Sequence, residues 1–318
     1  MNQRAWILLY LIPWISLLAS WLFSVIVGSN LEVWGGRLFI ASALLLGIPH
    51  GAEDFRIICQ LSQKTKFRFS TLLAVYLLLV LSVVVLWLIS PSMGLVAFFL
   101  LSIWHFGSGD AIWEQQNRLF IMNSLGRGLI VLSASLFLHP LESQLVLSKL
   151  SAKGSSLIIS ASSLLFFLGL FLSLLSVLLR GKLSFFDLES ILIIIFFWLV
   201  PSPLFAVAIY FICVHSWRHF LRICFHEKQD LPDVFSLWQN LWRFHLRVLP
   251  VTLISIVLML LIWHQQQFIS TSVVEIFLIF LSALTLPHAL VVLFLEKLGR
   301  FIYSEHQVMQ SVQAKSLI

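Results

Sequence analysis

Long apolar runs separated by short polar segments dominate the chain. A helix needs about 20 mainly apolar residues to cross a bilayer, within a range of about 17 to 25. Breaks at Gly, Pro and charged residues give ten such runs, although Arg127 interrupts the fifth and the seventh is short. The runs span residues 6–28, 34–57, 70–89, 94–113, 119–138, 155–179, 184–200, 203–225, 246–264 and 273–297. The pattern predicts an all-α, polytopic membrane bundle of about eight to ten transmembrane helices.

The composition strengthens this prediction. Of the 318 residues, 60% are hydrophobic and 11% are charged, whereas a soluble domain is nearer half apolar and a quarter charged. The three cysteines form no CxxC pair, so we expect neither a disulfide framework nor a thiolate metal site. We therefore expect one transmembrane domain over residues 1–300 and a short cytoplasmic tail over 301–318, in a multi-pass protein of the cell membrane.

The net charge of +6 is informative mainly through the positions of the basic residues along the chain. Basic residues lie between the apolar runs rather than on one polar face, so no nucleic-acid partner is expected. Placing the N-terminus in the cytoplasm leaves only Arg37, Lys149 and Lys153 of the 20 Lys and Arg residues outside. The positive-inside rule then predicts that both termini are cytoplasmic. In this interpretation Arg127 and Arg218 are charges of the inner loops and span ends.

Five of the ten histidines fall inside the apolar runs. Each lies in the later part of an even-numbered run, and these runs all pass from outside to inside. The five should therefore share one depth, in the cytoplasmic half of the membrane. They are His50, His105, His215, His219 and His288. Ionisable side chains within a bilayer are costly and usually mark function. The other five, including His245, are expected to be ordinary interfacial histidines.

The spacing of these residues suggests metal coordination. His215 and His219 are four apart, so a helix would place both imidazoles on one face, as in two ligands of one ion. Asp54 follows His50 by four and could accept its second ring N–H. Asp110 follows His105 by five, through glycines that would permit a distorted turn. The alternative is that both aspartates simply end helices at the interface. Imidazole ligands alone leave zinc, copper and iron open.

Four segments in this order carry a family resemblance. They are GIPHGAED at 47–54, SIWHFGSGD at 102–110, HSWRH at 215–219 and TLPH at 285–288. Together they resemble the Brp/Blh family of bacterial and archaeal β-carotene 15,15′-dioxygenases. The resemblance implies a membrane enzyme that uses Fe²⁺ and O₂ to cleave the central double bond of β-carotene into two molecules of retinal. It also implies a functional link to a retinal-binding rhodopsin.

The resemblance also implies roles for individual residues. The iron ligands carry over onto His50, His105, His215 and His219. His288 matches a further family histidine, with a role as pocket residue, hydrogen-bond partner or alternative ligand. Two positions depart from the pattern: Glu53, where an apolar residue is expected, and Trp217.

Aromatic residues beside the histidines are candidates for the walls of a carotenoid tunnel. Those that flank the proposed ligands are Trp104, Phe106, Trp217 and Phe220. Three other functions stay open from the residues alone. A membrane di-iron desaturase would need about eight histidines in repeated boxes, a b-type haem carrier would pair axial histidines at two depths, and many transporters show internal repeats.

Overall fold

The computed structural model describes residues 3–114, 117–228, 233–266 and 274–294. Within these ranges the regular elements are helical, with no strand. The predicted tail at 301–318 lies outside the described residues. The helices are α1 (Gln3–Trp6), α2 (Ile12–Val27), α3 (Leu31–Ser42), α4 (Ile48–Ala52), α5 (Asp54–Lys64), α6 (Phe69–Ile89), α7 (Pro91–Ala111), α8 (Phe120–Leu138), α9 (Pro140–Leu147), α10 (Ala152–Arg180), α11 (Phe185–Leu199), α12 (Pro203–Tyr210), α13 (Trp217–Lys228), α14 (Leu237–Gln266) and α15 (Val274–Phe294).

Eight helical stretches among the described residues are long and apolar enough to cross a membrane. The first, Gln3–Lys64, contains the first two predicted runs, and the seventh predicted run folds as the 15-residue helix α11. That helix is shorter than a full span because Pro201 and Pro203 follow it closely. The prediction of an all-α, polytopic membrane bundle is confirmed.

Ser-Pro pairs start two of the spanning helices. The hydroxyl of Ser90 accepts a bond from the Met93 N–H at the start of α7, and Ser202 does the same for Phe205 at the start of α12. Pro91 and Pro203 are the first residues of these helices. A serine cap followed by proline is favourable at this place because the first backbone N–H groups of a helix lack partners within the helix.

Helices α7 and α8 pack backbone to backbone. A Cβ atom on Gly107 of α7 would overlap the Ser124 carbonyl of α8, and one on Gly128 would overlap the Ile103 carbonyl. The sequence suggested that Gly107 permits a distorted turn before Asp110. Instead α7 is helical through this stretch, and the glycine is needed because the neighbouring helix approaches so closely.

A buried cluster of charges joins four helices. Arg127 of α8 and Arg218 of α13 both bind Glu189 of α11, with N–O distances of 3.0 and 2.8 Å. Asp110 of α7 lies 3.3 Å from Arg218, and all four residues are at most 1% exposed. The interpretation of Arg127 and Arg218 as charges of the loops and span ends is therefore wrong. Two cations and two carboxylates neutralise each other, which offsets the free-energy cost of burying them within the bundle.

Candidate functional site

The segment that carries His50 is irregular. A π-helical turn, Ala43–Gly47, leads into α4, and Pro49 directly precedes the histidine. His50 Nδ1 donates to the Leu46 carbonyl oxygen at 2.8 Å. Because that bond fixes the proton on Nδ1, the lone pair of Nε2 is available to a metal ion.

A second π-helical turn carries His215. It spans Phe211–Ser216 and runs directly into α13, which carries His219. Single π-turns within α-helices are frequent at functional sites. Both imidazoles are buried, at 2% and 1% exposure, so the spacing of four residues brings two rings into the interior of the bundle.

His288 of α15 is held by a carboxylate. Its Nδ1 lies 2.8 Å from Asp54 Oδ1, and the other oxygen of Asp54 accepts a bond from the Tyr76 hydroxyl at 3.0 Å. Asp54 was expected to accept a ring N–H of His50. The structure corrects that pairing: His50 uses Nδ1 for its own helix, and the Asp54 carboxylate binds His288 instead.

All five intramembrane histidines converge. Ring centroids are 4.8 Å apart for His105 and His215, 4.9 Å for His50 and His288, and 5.0 Å for His50 and His219. The Nε2 atoms of His105 and His215 are 3.1 Å apart. One ring nitrogen from each of His50, His105 and His288 lies within 4.8 Å of the others. His288 therefore stands among the candidate ligands themselves.

Asp110 belongs to the neighbouring charge cluster. The sequence offered it as a partner for a ring N–H of His105. Its Oδ2 accepts the Tyr210 hydroxyl at 2.7 Å and lies 3.3 Å from Arg218 Nη1. Because α7 is regularly helical here, the five-residue spacing places the carboxylate toward α12 and α13. Asp110 thus joins the helix of His105 to the helices of His215 and His219.

An apolar cavity of about 310 Å³ opens beside the histidines. His50, His105 and His288 form part of its wall, and the rest comes mainly from aliphatic and aromatic residues of α6, α7, α14 and α15. A second cavity of about 130 Å³ adjoins it. The two share the lining residues Phe98, Ser102, Phe106, Phe211, Phe277 and Leu281. Apolar space therefore continues past the histidine cluster.

One of the four predicted aromatic wall residues lines these cavities. Phe106 contributes to both, and its ring centroid is 4.4 Å from that of His215. The other three pack away from the cavities: Trp104 against Phe120, Trp217 with its N–H on the Leu8 carbonyl, and Phe220 against Phe244. Neighbours in sequence point to different sides of a helix, so adjacency to a histidine did not identify the wall.

Several residues of the site were not singled out from the sequence. Tyr76 is the one tyrosine of the apolar run 70–89. Glu189 lies two residues after Asp187 in the apolar helix α11, and Arg127 is the lone cation of α8. Charged residues inside a membrane span usually need a partner of opposite charge. That rule could have predicted a pair between Glu189 and Arg127.

Comparison with known proteins identifies the family. A family model described as Beta-carotene 15,15′-dioxygenase matches residues 41–296, which include all five histidines. The chain belongs to this family. It is 31% identical over 189 residues to "Beta-carotene 15,15′-dioxygenase" of uncultured marine bacterium 66A03, covering 57% of this chain and 66% of that protein. It is 30% identical over 114 residues to "Probable beta-carotene 15,15′-dioxygenase Blh" of Halobacterium salinarum, covering 34% and 33% of the two chains. No solved structure matches the chain.

The described residues of this family member fit a metal ion that takes nitrogen ligands. Both ring nitrogens of His219, Nδ1 of His215 and Nε2 of His288 are buried and have no hydrogen-bond partner within the described ranges. Buried polar atoms are normally paired, and a metal ion bound at one nitrogen of each ring would account for those nitrogens, although not for the second nitrogen of His219. Neutral imidazoles suit iron, zinc and copper alike, so this donor set fits Fe²⁺ without selecting it.

Proposed function

We propose that the protein is an iron-dependent dioxygenase that cleaves the central 15,15′ double bond of β-carotene with O₂ to give two molecules of all-trans-retinal. The observation that carries the proposal is the convergence of five buried histidines on the wall of an apolar cavity. The family to which the chain belongs supports the choice of reaction and substrate.

The cavity has the chemistry that a carotenoid requires. β-Carotene dissolves in the hydrocarbon core of a bilayer, so a site within a helical bundle can receive it sideways. Three residues of the cavity lining are also half-exposed on the outside of the bundle: Phe55 at 47%, Leu77 at 57% and Leu258 at 50%. They belong to α5, α6 and α14, and we infer that the substrate enters between these helices.

The reaction needs no external reductant. One C=C bond and one O=O bond are broken, two C=O bonds are formed, and both oxygen atoms end in the two aldehydes. Fe²⁺ held by the histidines would activate O₂ for combination with a closed-shell polyene, with no net consumption of electrons. We propose His50, His105, His215 and His219 as ligands, with His288 joining them through the nitrogen that Asp54 does not bind.

The protein's own groups orient and shield the reacting bond. Asp54 holds the His288 ring, and the Leu46 carbonyl holds the His50 ring, so each presents Nε2 in a fixed direction. Phe106 and Phe211 lie against His215 at the junction of the two cavities and are positioned to flank the polyene. The apolar lining excludes water from the products.

The product suggests the cellular setting. Retinal is apolar and would leave into the same bilayer, where a retinal-binding rhodopsin could take it up. We propose that the protein lies in the cell membrane with both termini in the cytoplasm.

Expression in cells that accumulate β-carotene tests the proposal. The wild-type chain should bleach the cells and yield retinal, and the purified protein should hold about one non-haem iron per chain without a Soret band. His105→Ala should leave the cells orange, with the protein present in the membrane in normal amount. Unchanged colour with folded wild-type protein, or stoichiometric haem, would refute the assignment.

A further inference from the structure

The backbone that carries His50 lacks a regular helical hydrogen bond. Pro49 has no N–H, so it cannot donate to the Leu45 carbonyl four residues earlier, as a residue of a regular α-helix would. The π-helical turn Ala43–Gly47 widens the same stretch. Leu45 lies on the exposed side of this segment, and a backbone carbonyl that faces hydrocarbon has no water to bind, so its partner has to come from the protein.

His245 of α14 supplies that group. Its Nε2 lies 2.7 Å from the Leu45 carbonyl oxygen, and its Nδ1 lies 2.8 Å from the Leu241 carbonyl oxygen of its own helix. A carbonyl oxygen can only accept, and both ring nitrogens face carbonyls; Nε2 therefore donates to Leu45 in the imidazolium, which donates from both nitrogens, and in the neutral tautomer that carries its proton on Nε2. The expected interfacial position of His245 stays a prediction, but the half-buried ring is more than a solvated side chain, because it contacts the backbone of a different helix.

A second contact from α14 holds the other side of His50. Arg247 Nη2 lies 3.4 Å from Glu53 Oε1, and the Glu53 side chain, which also pairs with Arg56, is fully buried. Glu53 is the residue that departs from the apolar position of the family pattern. In this chain α14 thus binds the His50 segment both before and after the histidine.

The peptide groups that orient the His50 ring lie between these two contacts. His50 Nδ1 is bonded to the Leu46 carbonyl, one residue beyond the carbonyl that His245 binds. Any rotation of the Leu45–Leu46 peptide groups would therefore turn the imidazole. His245 contacts the backbone of the segment that carries His50, and it is not among the residues that line the larger cavity. His245 therefore acts through His50 and does not itself touch the substrate.

We propose that His245 is a positioning residue of the metal site: it replaces the hydrogen bond that Pro49 cannot make and so fixes the direction of the His50 ring, with Arg247 and Glu53 holding the far side. The inference rests on the proposed iron site, but it can fail separately from it. Iron binding and ligand geometry, which need no carotenoid, are its readouts.

The first test compares full-length protein variants loaded with Fe²⁺. His245→Leu removes the donor, and His245→Gln keeps an N–H that can reach the same carbonyl. Residues that orient metal ligands typically contribute about 10- to 100-fold to metal affinity. We expect His245→Leu to weaken Fe²⁺ binding by about tenfold and to change the rhombicity of the electron paramagnetic resonance signal of the nitric oxide adduct. His245→Gln should restore most of both.

His139→Leu is the matched control. His139 also places a ring nitrogen 2.8 Å from a backbone carbonyl, that of Phe197, but neither residue belongs to the histidine cluster or the larger cavity. It should leave the affinity and the signal unchanged. Equal effects of His139→Leu and His245→Leu, or wild-type affinity and signal in folded His245→Leu, would overturn the inference. A wild-type protein that binds no iron would instead refute the proposed function.

A double-mutant cycle with Pro49→Ala gives a second test. Alanine restores a backbone N–H at position 49 that can bind the Leu45 carbonyl, so His245 should become partly redundant. We expect His245→Leu to lower Fe²⁺ affinity several-fold less in the Pro49→Ala background than in the wild type. Additive effects of the two substitutions would contradict the proposed role.

Discussion

The contact between α7 and α8 makes a quantitative prediction for Gly128→Ala. The new Cβ would overlap the Ile103 carbonyl oxygen and lie 2.6 Å from its carbon and 3.1 Å from its Cα, where ordinary contact begins at 3.4 Å. All three atoms belong to the backbone and cannot rotate aside. The two helices must therefore separate by about 1.5 Å, since close-packed interiors do not absorb an added methyl group otherwise.

This separation should cost stability and disturb the site. Overpacking of this kind costs about 1–3 kcal/mol, which outweighs the roughly 0.5–1 kcal/mol that alanine gains over glycine in a helix. Ile103 is two residues from His105, so the shift also moves a candidate ligand. We expect a thermal midpoint lowered by several degrees and a lower iron content.

Thermal unfolding of the purified protein in one detergent is the assay. Gly36→Ala is the control, because nothing lies within 4 Å of a Cβ at that helical position. It should be neutral or slightly stabilising. If Gly128→Ala unfolds at or above the midpoint of Gly36→Ala with full iron content, the inference from close backbone packing is refuted.

Three further predictions concern the site and its support. Asp54→Asn should weaken iron binding by about 10- to 100-fold, because the His288 ring loses its carboxylate partner; equal affinity by metal titration would contradict this. Gly51→Leu should abolish β-carotene cleavage at wild-type iron content, because a Cβ there points into open space beside His50, whereas Gly51→Ala should remain active; retinal assays of both decide it. Glu189→Gln should destabilise the fold by about 3–5 kcal/mol, because two buried arginines lose their shared carboxylate; an unchanged thermal midpoint would refute this.

The positions of the spans and of the histidines within them could be predicted from the sequence. In hydrocarbon every backbone polar group must be satisfied internally, so a run of about 20 apolar residues has to be a helix. Predicted limits such as 70–89 and 119–138 differ by one residue or less from Phe69–Ile89 and Phe120–Leu138. The number of residues from the start of a span gives the depth of a residue in the membrane. The shared depth of the five histidines was predicted in this way.

The neighbours of each helix could not be predicted in the same way. Depth says nothing about which helix faces which, because lipid and the bundle interior are almost equally apolar. The Asp54 carboxylate could therefore be assigned to His50, one turn away, when its partner is His288, 234 positions along the chain. Arg127 and Arg218 were assigned to the inner loops and span ends for the same reason: a charge near the end of a span looks alike whether it meets water or a buried carboxylate.

The sequence by itself thus determined that the protein lies in a bilayer, where its helical spans are and that its histidines share one level. All three depend only on position along the membrane normal, which the order of apolar and polar residues encodes. The tertiary structure alone decided the lateral arrangement: the carboxylate that holds His288, the charge cluster that joins α7 to α13, and the contact of His245 with the backbone before His50. These depend on side-chain direction and close packing between distant segments, which no local pattern of residues encodes.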